Sequence, residues 1–239
     1  MIKISKTAFR WTITLSRTNK ANAINMEMLS KLNSILDAAK KEKQLRSLIF
    51  TGEGKVFSAG ADLDAVKKNN EITTTTQWEE LSEKIANIPC LTLAALNGTL
   101  AGGAFGMVLA CDLRIATPAA KFFYPVLKNN ILPQPNDIER MVDIAGISTA
   151  KLVLLAGQKI SAQKALETNL IDEIVEKEAF IFTIDNLCSI AENNDGVSLL
   201  AIKRLFQAKC NSKIKKDALL AVFEKNDAAI KRLKEFKNF

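Results

Sequence analysis

Four glycines, Gly98, Gly102, Gly103 and Gly106, fall within nine residues near the middle of the chain. That density is costly inside regular structure, because glycine gives up more backbone freedom on folding than any other residue. The flanks do not look like a loop. Residues 90–95 are an apolar run, and residues 105–110 are another. The stretch therefore predicts a strand, a polar hinge at Asn97-Gly98, a turn of small residues at 101–104, and then an apolar helix. A helix that begins in such a turn leaves its first N–H groups unpaired and points the positive end of its dipole outward. The pattern fits an anion or oxyanion site, and it also fits a tight strand-to-helix turn that binds nothing.

A second loop of small residues, Ser58-Ala59-Gly60-Ala61-Asp62-Leu63, follows a predicted strand and the short apolar re-entry Val56-Phe57. Ahead of it the sequence predicts a hairpin over residues 2–5 and 9–15. A polar loop at 17–23 comes next, then a helix over 26–43 capped by Asn25, with Leu29, Leu32, Ile35, Leu36 and Ala39 on one face. Residues 69–76 are polar and threonine-rich and read as a mobile loop. A helix over 77–87 leads into the central stretch. After it come strands at 113–116 and 121–124 and an irregular loop over 128–135 that holds two prolines. A helix capped by Asn136 or Asp137 runs to Ala145, and Gly146-Ile147-Ser148 restarts another, with Ser148 as cap, running to Leu155. A short helix begins at Ser161, and a strand covers 170–175. From residue 177 the pattern is helical throughout, over 177–192, 197–209 and 215–234.

Composition narrows the chemistry. The 239 residues are 48% hydrophobic and 25% charged, and there is no histidine. That excludes Ser-His-Asp and Cys-His mechanisms within one chain, and histidine-ligated zinc. The four cysteines, Cys90, Cys111, Cys188 and Cys210, are too widely spaced for a metal site or a disulfide framework. No metal is expected. No apolar run reaches the roughly 20 residues that span a bilayer, and the N-terminus lacks a signal-peptide core. The expectation is a cytoplasmic protein with no membrane partner. Residues 199–239 hold eleven Lys/Arg against four Asp/Glu, a surplus equal to the whole chain's +7. Such a tail could attract a phosphate-bearing ligand, or it could be the solvated faces of helices. Lys31, Lys40, Lys41, Lys43 and Arg46 mark the first helix, but Glu27, Asp37 and Glu42 share it without aromatic stacking residues, so nucleic acid is an unlikely partner.

Separated motifs point the same way. Arg17-Thr18-Asn19-Lys20-Ala21-Asn22-Ala23-Ile24, Val56 through Leu63, and Asn97 through Asp112 resemble the early loop, the first donor loop and the glycine turn of the crotonase (enoyl-CoA hydratase/isomerase) superfamily. Ile131-Leu132-Pro133 with Arg140, residues 156–165, Asn169-Leu170-Ile171-Asp172 and Ala201-Ile202-Lys203-Arg204 resemble later elements. The resemblance implies an α/β fold built as a spiral of β-β-α repeats forming two roughly perpendicular sheets. A core at residues 1–176 would be followed by a helical trimerisation region at 177–239, giving a homotrimer or a dimer of trimers. It also implies an acyl-CoA or acyl-carrier thioester ligand, with coenzyme A entering only as part of the substrate. By position, the backbone N–H groups of Ala61 and Gly103 would form the oxyanion hole, and Lys20, Ala21, Ala23, Ala59, Asp62 and Leu63 would line the coenzyme A site.

The sequence departs from the family where proton transfer is done. Hydratases of the family carry two glutamates, and the matching positions here are Gly106 and Val126. Other members place an acid or a tyrosine directly after the loop proline; here that residue is Gln134, which has no useful pKa. General acid–base catalysis needs a titratable group within hydrogen-bond reach. The candidates nearby are Tyr124, Lys128, Asp137, Glu139, Asp64 and Lys67. Asp137 also reads as a helix cap or first-turn charge, Asp62 as a binder of its own loop backbone, Tyr124 as core, and Glu139 as a surface charge or ion pair. Gln134 and Asp137 are carried forward beside Ala61 and Gly103 as catalytic candidates. Isomerase or decarboxylase chemistry is expected over hydration, the alternative being an inactive acyl-CoA-binding or scaffold relative.

Overall fold

A computed structural model of the chain describes residues 1–69 and 71–207. The chain opens with β1 (Ile2–Lys6) and β2 (Arg10–Leu15), an antiparallel hairpin pairing Ile2 with Leu15 and Lys6 with Trp11. In β2 the alternate residues Trp11, Ile13 and Leu15 are buried, as a strand with one face on a core requires. Helix α1 (Met26–Lys41) follows, capped by the Asn25 side chain, which accepts the Met28 N–H at 2.9 Å. Then come β3 (Ser47–Gly52), β4 (Val56–Ser58), and helices α2 (Leu63–Asn69), α3 (Glu71–Thr74) and α4 (Gln77–Asn87). The central stretch forms β5 (Leu91–Leu96), β6 (Thr99–Ala101), a 3-10 turn at Gly102–Ala104, and α5 (Phe105–Leu109). After it lie β7 (Leu113–Ala116), β8 (Lys121–Phe123), α6 (Pro135–Leu154), β9 (Ile160–Ser161), α7 (Ala162–Glu167), β10 (Glu173–Ile174), α8 (Phe180–Glu192) and α9 (Gly196–Gln207).

The strands form two sheets. One runs β1-β2-β3-β5-β7-β10, parallel apart from the β1 hairpin; the other runs β4-β6-β8-β9, with β9 antiparallel. The order shows a repeat. Each of β3, β5 and β7 lies in the first sheet and passes at once to β4, β6 and β8 in the second, and each pair then feeds helix. The first turn of the spiral obeys the same rule in reduced form: after β2, Ile24 makes a single parallel bridge to Ala61 before α1 starts. The expected spiral of β-β-α units is thus what the chain adopts.

The first sheet is covered on both faces, which explains its continuous apolar runs. Leu48, Phe50, Ala94 and Leu96 belong to the main core with Leu29, Leu32, Leu81 and Phe105. Their neighbours Ile49, Leu93, Ala95 and Ile115 point the other way and pack with Phe180 and Cys188 of α8. The Asn97-Gly98 hinge is an obligatory close approach. Asn97 accepts the Gly52 N–H at 2.9 Å and donates to the Gly54 carbonyl at 3.0 Å, and a Cβ on Gly98 would lie 2.0 Å from the Lys55 carbonyl oxygen. Helix α9 is anchored by Lys203, which is buried and donates to Asp112 at 2.8 Å and to the Cys90 carbonyl at 2.9 Å. This lysine of the basic tail is a structural ion pair rather than a free charge.

Two expectations change and one is met. The threonine-rich loop contains the helical turn α3: Ile72 is fully buried, and its carbonyl accepts the Trp78 indole N–H at 2.8 Å, which ties the turn down. The strand expected over 170–175 is laddered to β7 only at Glu173 and Ile174, because Leu170 and Ile171 still donate to the Ala165 carbonyl at the end of α7. The break expected at Gly146 is present: its φ of 78° and ψ of 157° are non-helical and divide α6 into two helical segments. The helix expected over 215–234 lies outside the described residues.

Candidate active site

The two small-residue loops meet. Gly60 has φ +87°, and a Cβ there would lie 2.7 Å from the Ala101 carbonyl oxygen and 3.0 Å from the Gly103 nitrogen. Only glycine brings these backbones so close. Next to it, Ile24 uses its own N–H on Gly60 (2.8 Å) and its carbonyl on the Asp62 N–H (2.9 Å). In a parallel bridge this turns the Ala61 N–H away from Ile24. Gly103 stands in the first turn of the 3-10/α5 segment, where N–H groups have no intrahelical acceptor. Among the described residues, neither Ala61 nor Gly103 donates its N–H to a loop or turn carbonyl. The indole of Trp78 lies against Gly103, 3.5 Å from where a Cβ would be.

The early loop is laid on this pair and holds it in place. Ala21 and Asn22 adopt left-handed backbone (φ 49° and 54°), and Ala59 donates to the Ala21 carbonyl at 3.0 Å. The buried Asn22 amide satisfies both its ends. It accepts the Arg17 N–H at 2.8 Å and donates to the Glu53 and Val56 carbonyls at 2.9 and 2.7 Å. Asn22 is therefore a positioning residue that the motif alone did not single out. Arg17 in turn holds Asp62 at 2.6 Å. Burial would raise the Asp62 carboxyl, but Arg17 and the N–H groups of Asp64 and Ala65 hold it below the usual range. Asp62 thus serves its own loop, as the sequence reading had it. The early loop and the donor loop are joined by these bonds, since Arg17 also donates to the Ala23 carbonyl at 3.0 Å. Lys20 and Asp64, both exposed, are ion-paired at 2.7 Å.

Behind Gly103 the second half of the site is built from α5 and α6. Gly106 is buried at the second position of α5, one turn beyond Gly103. A Cβ on it would lie 2.7 Å from Oδ1 of Asp137. The carboxylate of α6 occupies the space beside α5 that the Gly106 side chain leaves free. Asp137 is fully buried, and Tyr124 donates its hydroxyl to Oδ2 at 2.9 Å. Oδ1 has no hydrogen-bond partner. The Tyr124 ring stacks on Phe105 of α5 at 5.3 Å, which fixes its hydroxyl. Burial pushes the Asp137 carboxyl up to about 7; Tyr124 and Arg140 oppose the rise and the charge of Glu79 adds to it. Tyr124 is raised well above its ordinary value by burial and by Asp137.

The reading of Asp137 as a helix cap is therefore corrected. Gln134 occupies the cap position of α6 without a side-chain bond, and Pro135 fills the first helical place. Asp137 sits in the first turn, but its side chain points into the protein. The Gln134 backbone N–H faces the Tyr124 oxygen, which places Gln134 beside the pair. Val126 is buried and apolar. Lys128 and Glu139 are exposed, and the side chain of Lys67 is not among those described. Cys90 and Cys111 are inert: burial pushes both thiols up to about 12. Among the described residues no cluster of His, Cys, Asp and Glu could hold a metal, and no helix is long and apolar enough to cross a membrane.

Comparison with known proteins gives a consistent result. The sequence matches the family model described as enoyl-CoA hydratase/isomerase over residues 10–232. It is 33% identical over 166 residues to a Bacillus subtilis protein named as an enoyl-CoA hydratase/isomerase. That match covers 68% of this chain and 64%, just under two thirds, of the Bacillus protein. It is 25% identical over 249 residues to the short-chain-enoyl-CoA hydratase of Clostridium acetobutylicum, covering 95% of this chain and 94% of that one. The crystal structure of an enoyl-CoA hydratase from Bacillus anthracis superposes with a TM-score of 0.88 at 26% identity, covering 99% of this chain and 96% of the other.

Proposed function

Because the chain belongs to the enoyl-CoA hydratase/isomerase (crotonase) family, we propose that it is an enzyme acting on an acyl-CoA or acyl-carrier thioester through an enolate. The thioester oxygen sits between the N–H groups of Ala61 and Gly103, and Asp137 carries the proton. The observation that carries the reading is the Asp137 carboxylate in the space beside Gly106, buried, held by Tyr124, with Oδ1 unpartnered. A scaffold has no use for a buried carboxyl with a free oxygen, which costs stability. A carboxyl pushed up to about 7 holds and releases a proton near neutrality, which is what general acid–base work asks for. Double-bond migration or decarboxylation is favoured over hydration. Gly106 and Val126 replace the two glutamates that would hold a water between them, whereas an enolate route needs the oxyanion site and a proton donor.

The test is a panel of 2-enoyl-, 3-enoyl-, malonyl- and methylmalonyl-CoA esters with the purified protein. Turnover of one of them is expected, and Gly103→Pro, which removes one donor, should lower it on the order of 100-fold or more. Tight binding of acyl-CoA esters with no turnover of any would replace this reading with that of an inactive binder or scaffold.

The protein works as a homotrimer or a dimer of trimers. Ile181, Phe182 and Ile190 of α8 and Phe206 of α9 are each more than 70% exposed, a large apolar area for the surface of a monomer. Sedimentation velocity should report three or six chains; a monomer at micromolar concentration would refute the assembly.

A further inference from the structure

Among the described residues, five buried side-chain N or O atoms lack a hydrogen-bond partner, and two of them are carboxylate oxygens: Oδ1 of Asp137 and Oε2 of Glu79. Both belong to one region. Glu79 follows Trp78, whose ring covers Gly103. Three and four residues further along α4, Ser82 and Glu83 hold the first turns of α6. Arg140 donates to Ser82 at 2.8 Å and to Glu83 at 3.1 Å, and Asn136 donates to Glu83 at 2.6 Å. Helical spacing puts Glu79 on that same face, one turn closer to the start of α4. Its charge acts on both Asp137 and Tyr124. The groups facing Asp137 are thus Tyr124 from the end of β8, Arg140 from its own helix (already committed to Ser82 and Glu83), and Glu79 from α4. Helix α5 contributes only Gly106.

A buried carboxylate oxygen with no partner is costly, and two in one place need a common reason. We propose that Glu79 is a second catalytic residue and that, with Asp137, it makes the reaction an allylic proton shift on an unsaturated acyl thioester. The inference rests on the reading of Asp137 given above. With a 3-enoyl thioester, Glu79 removes a proton from Cα. The C–H electron pair becomes the Cα–C1 double bond, and the carbonyl pair moves onto the oxygen held by Ala61 and Gly103. The pair then returns, the double bond moves from Cβ–Cγ to Cα–Cβ, and Cγ takes the proton carried by Asp137. Nothing is oxidised or reduced. The enzyme resets when the proton taken up by Glu79 passes to Asp137. Two carboxyls on different helices let one group serve Cα and the other Cγ.

The experiment follows a 3-enoyl-CoA in D₂O with the wild type, Glu79→Gln, Glu79→Asp and Asp137→Asn, measuring isomerisation and deuterium incorporation at Cα separately. Glu79→Gln should lose isomerisation by about 100-fold or more and lose Cα exchange with it. Asp137→Asn should lose isomerisation but keep Cα exchange. Glu79→Asp should recover part of both, which a purely structural role would not give. An unchanged rate in Glu79→Gln, with Asp137→Asn inactive, overturns the role of Glu79 and leaves Asp137 standing. Loss of Cα exchange in Asp137→Asn alone assigns both steps to Asp137 and overturns the division. Absence of wild-type turnover on every enoyl ester overturns this inference, and the proposed function falls with it only if the malonyl and methylmalonyl esters are left untouched as well.

Discussion

Asp137→Asn is expected to abolish turnover, by roughly 100- to 10,000-fold in kcat, while acyl-CoA binding stays within a few-fold of wild type. Asparagine keeps the shape and can still accept the Tyr124 hydroxyl, so the first turn of α6 and the ring stack on Phe105 should survive. What it removes is the transferable proton. The same substitution has a second, independent signature in stability. The carboxyl stands at about 7 in the folded protein against an ordinary 3.8, so the folded state binds more protons than the unfolded state between those values. Folding stability contributed by this group is therefore complete in acid and is lost as pH rises from about 4 through 7. Above that the folded protein must bury a charge. The size is on the order of 4 kcal/mol, at about 1.4 kcal/mol for each factor of ten in proton affinity. Asparagine carries no charge at any pH, so the variant should be the more stable protein at pH 8.5 and lose most of its advantage at pH 5. Urea titrations at the two pH values decide this. Parallel behaviour of the two proteins would mean that Asp137 is not the buried, proton-holding group described here.

Much of the fold was legible because its signals are local. Asn25 ahead of an amphipathic run gives α1 and its cap, and the apolar–glycine–apolar sequence of residues 90–110 gives β5, the turn and α5. The meeting of the two small-residue loops was legible for the same reason: close approach of main chain demands small residues, and Gly60, Gly102 and Gly103 announce it. The meeting of Asp137 with Gly106 and Tyr124 was not. Asp137 follows Gln134-Pro135-Asn136, where a carboxylate looks like a helix-start charge. Its burial depends on Gly106, on another helix, leaving the space it fills. Neither residue is informative without the other. Glu79 was hidden in the same way. In the sequence it is one of several charges on an amphipathic helix, and only the fold shows that one of its carboxylate oxygens is buried without a partner. Strands β9 and β10, two residues each, are too short to show an alternation. Ile72 gives no sign that a threonine-rich segment is pinned by the indole of Trp78.

The dependence of Asp137 on Gly106 gives the other large expected effect. In an open helix Gly→Ala gains up to about 1 kcal/mol. Gly106→Ala should instead destabilise the protein by roughly 1–3 kcal/mol and depress turnover strongly. The new Cβ falls 2.7 Å from Oδ1 of Asp137, whose side chain is fully buried and held through Oδ2 by Tyr124. The carboxyl would have to leave its place, and Tyr124 would lose its acceptor. Asp137→Gly alone empties the space and is inactive. Combined with Gly106→Ala it removes the clash, so the double variant should be more stable than the sum of the two single effects by 1 kcal/mol or more, a coupling measured by a double-mutant cycle. The reciprocal pair Gly106→Glu with Asp137→Gly carries the argument to function. It returns one carboxylate to the same volume from α5 instead of α6. If that volume is where the proton is handled, the exchange should restore measurable turnover that each single variant lacks. Strict additivity in the cycle, or full activity in Gly106→Ala, would show that the two positions do not share a site.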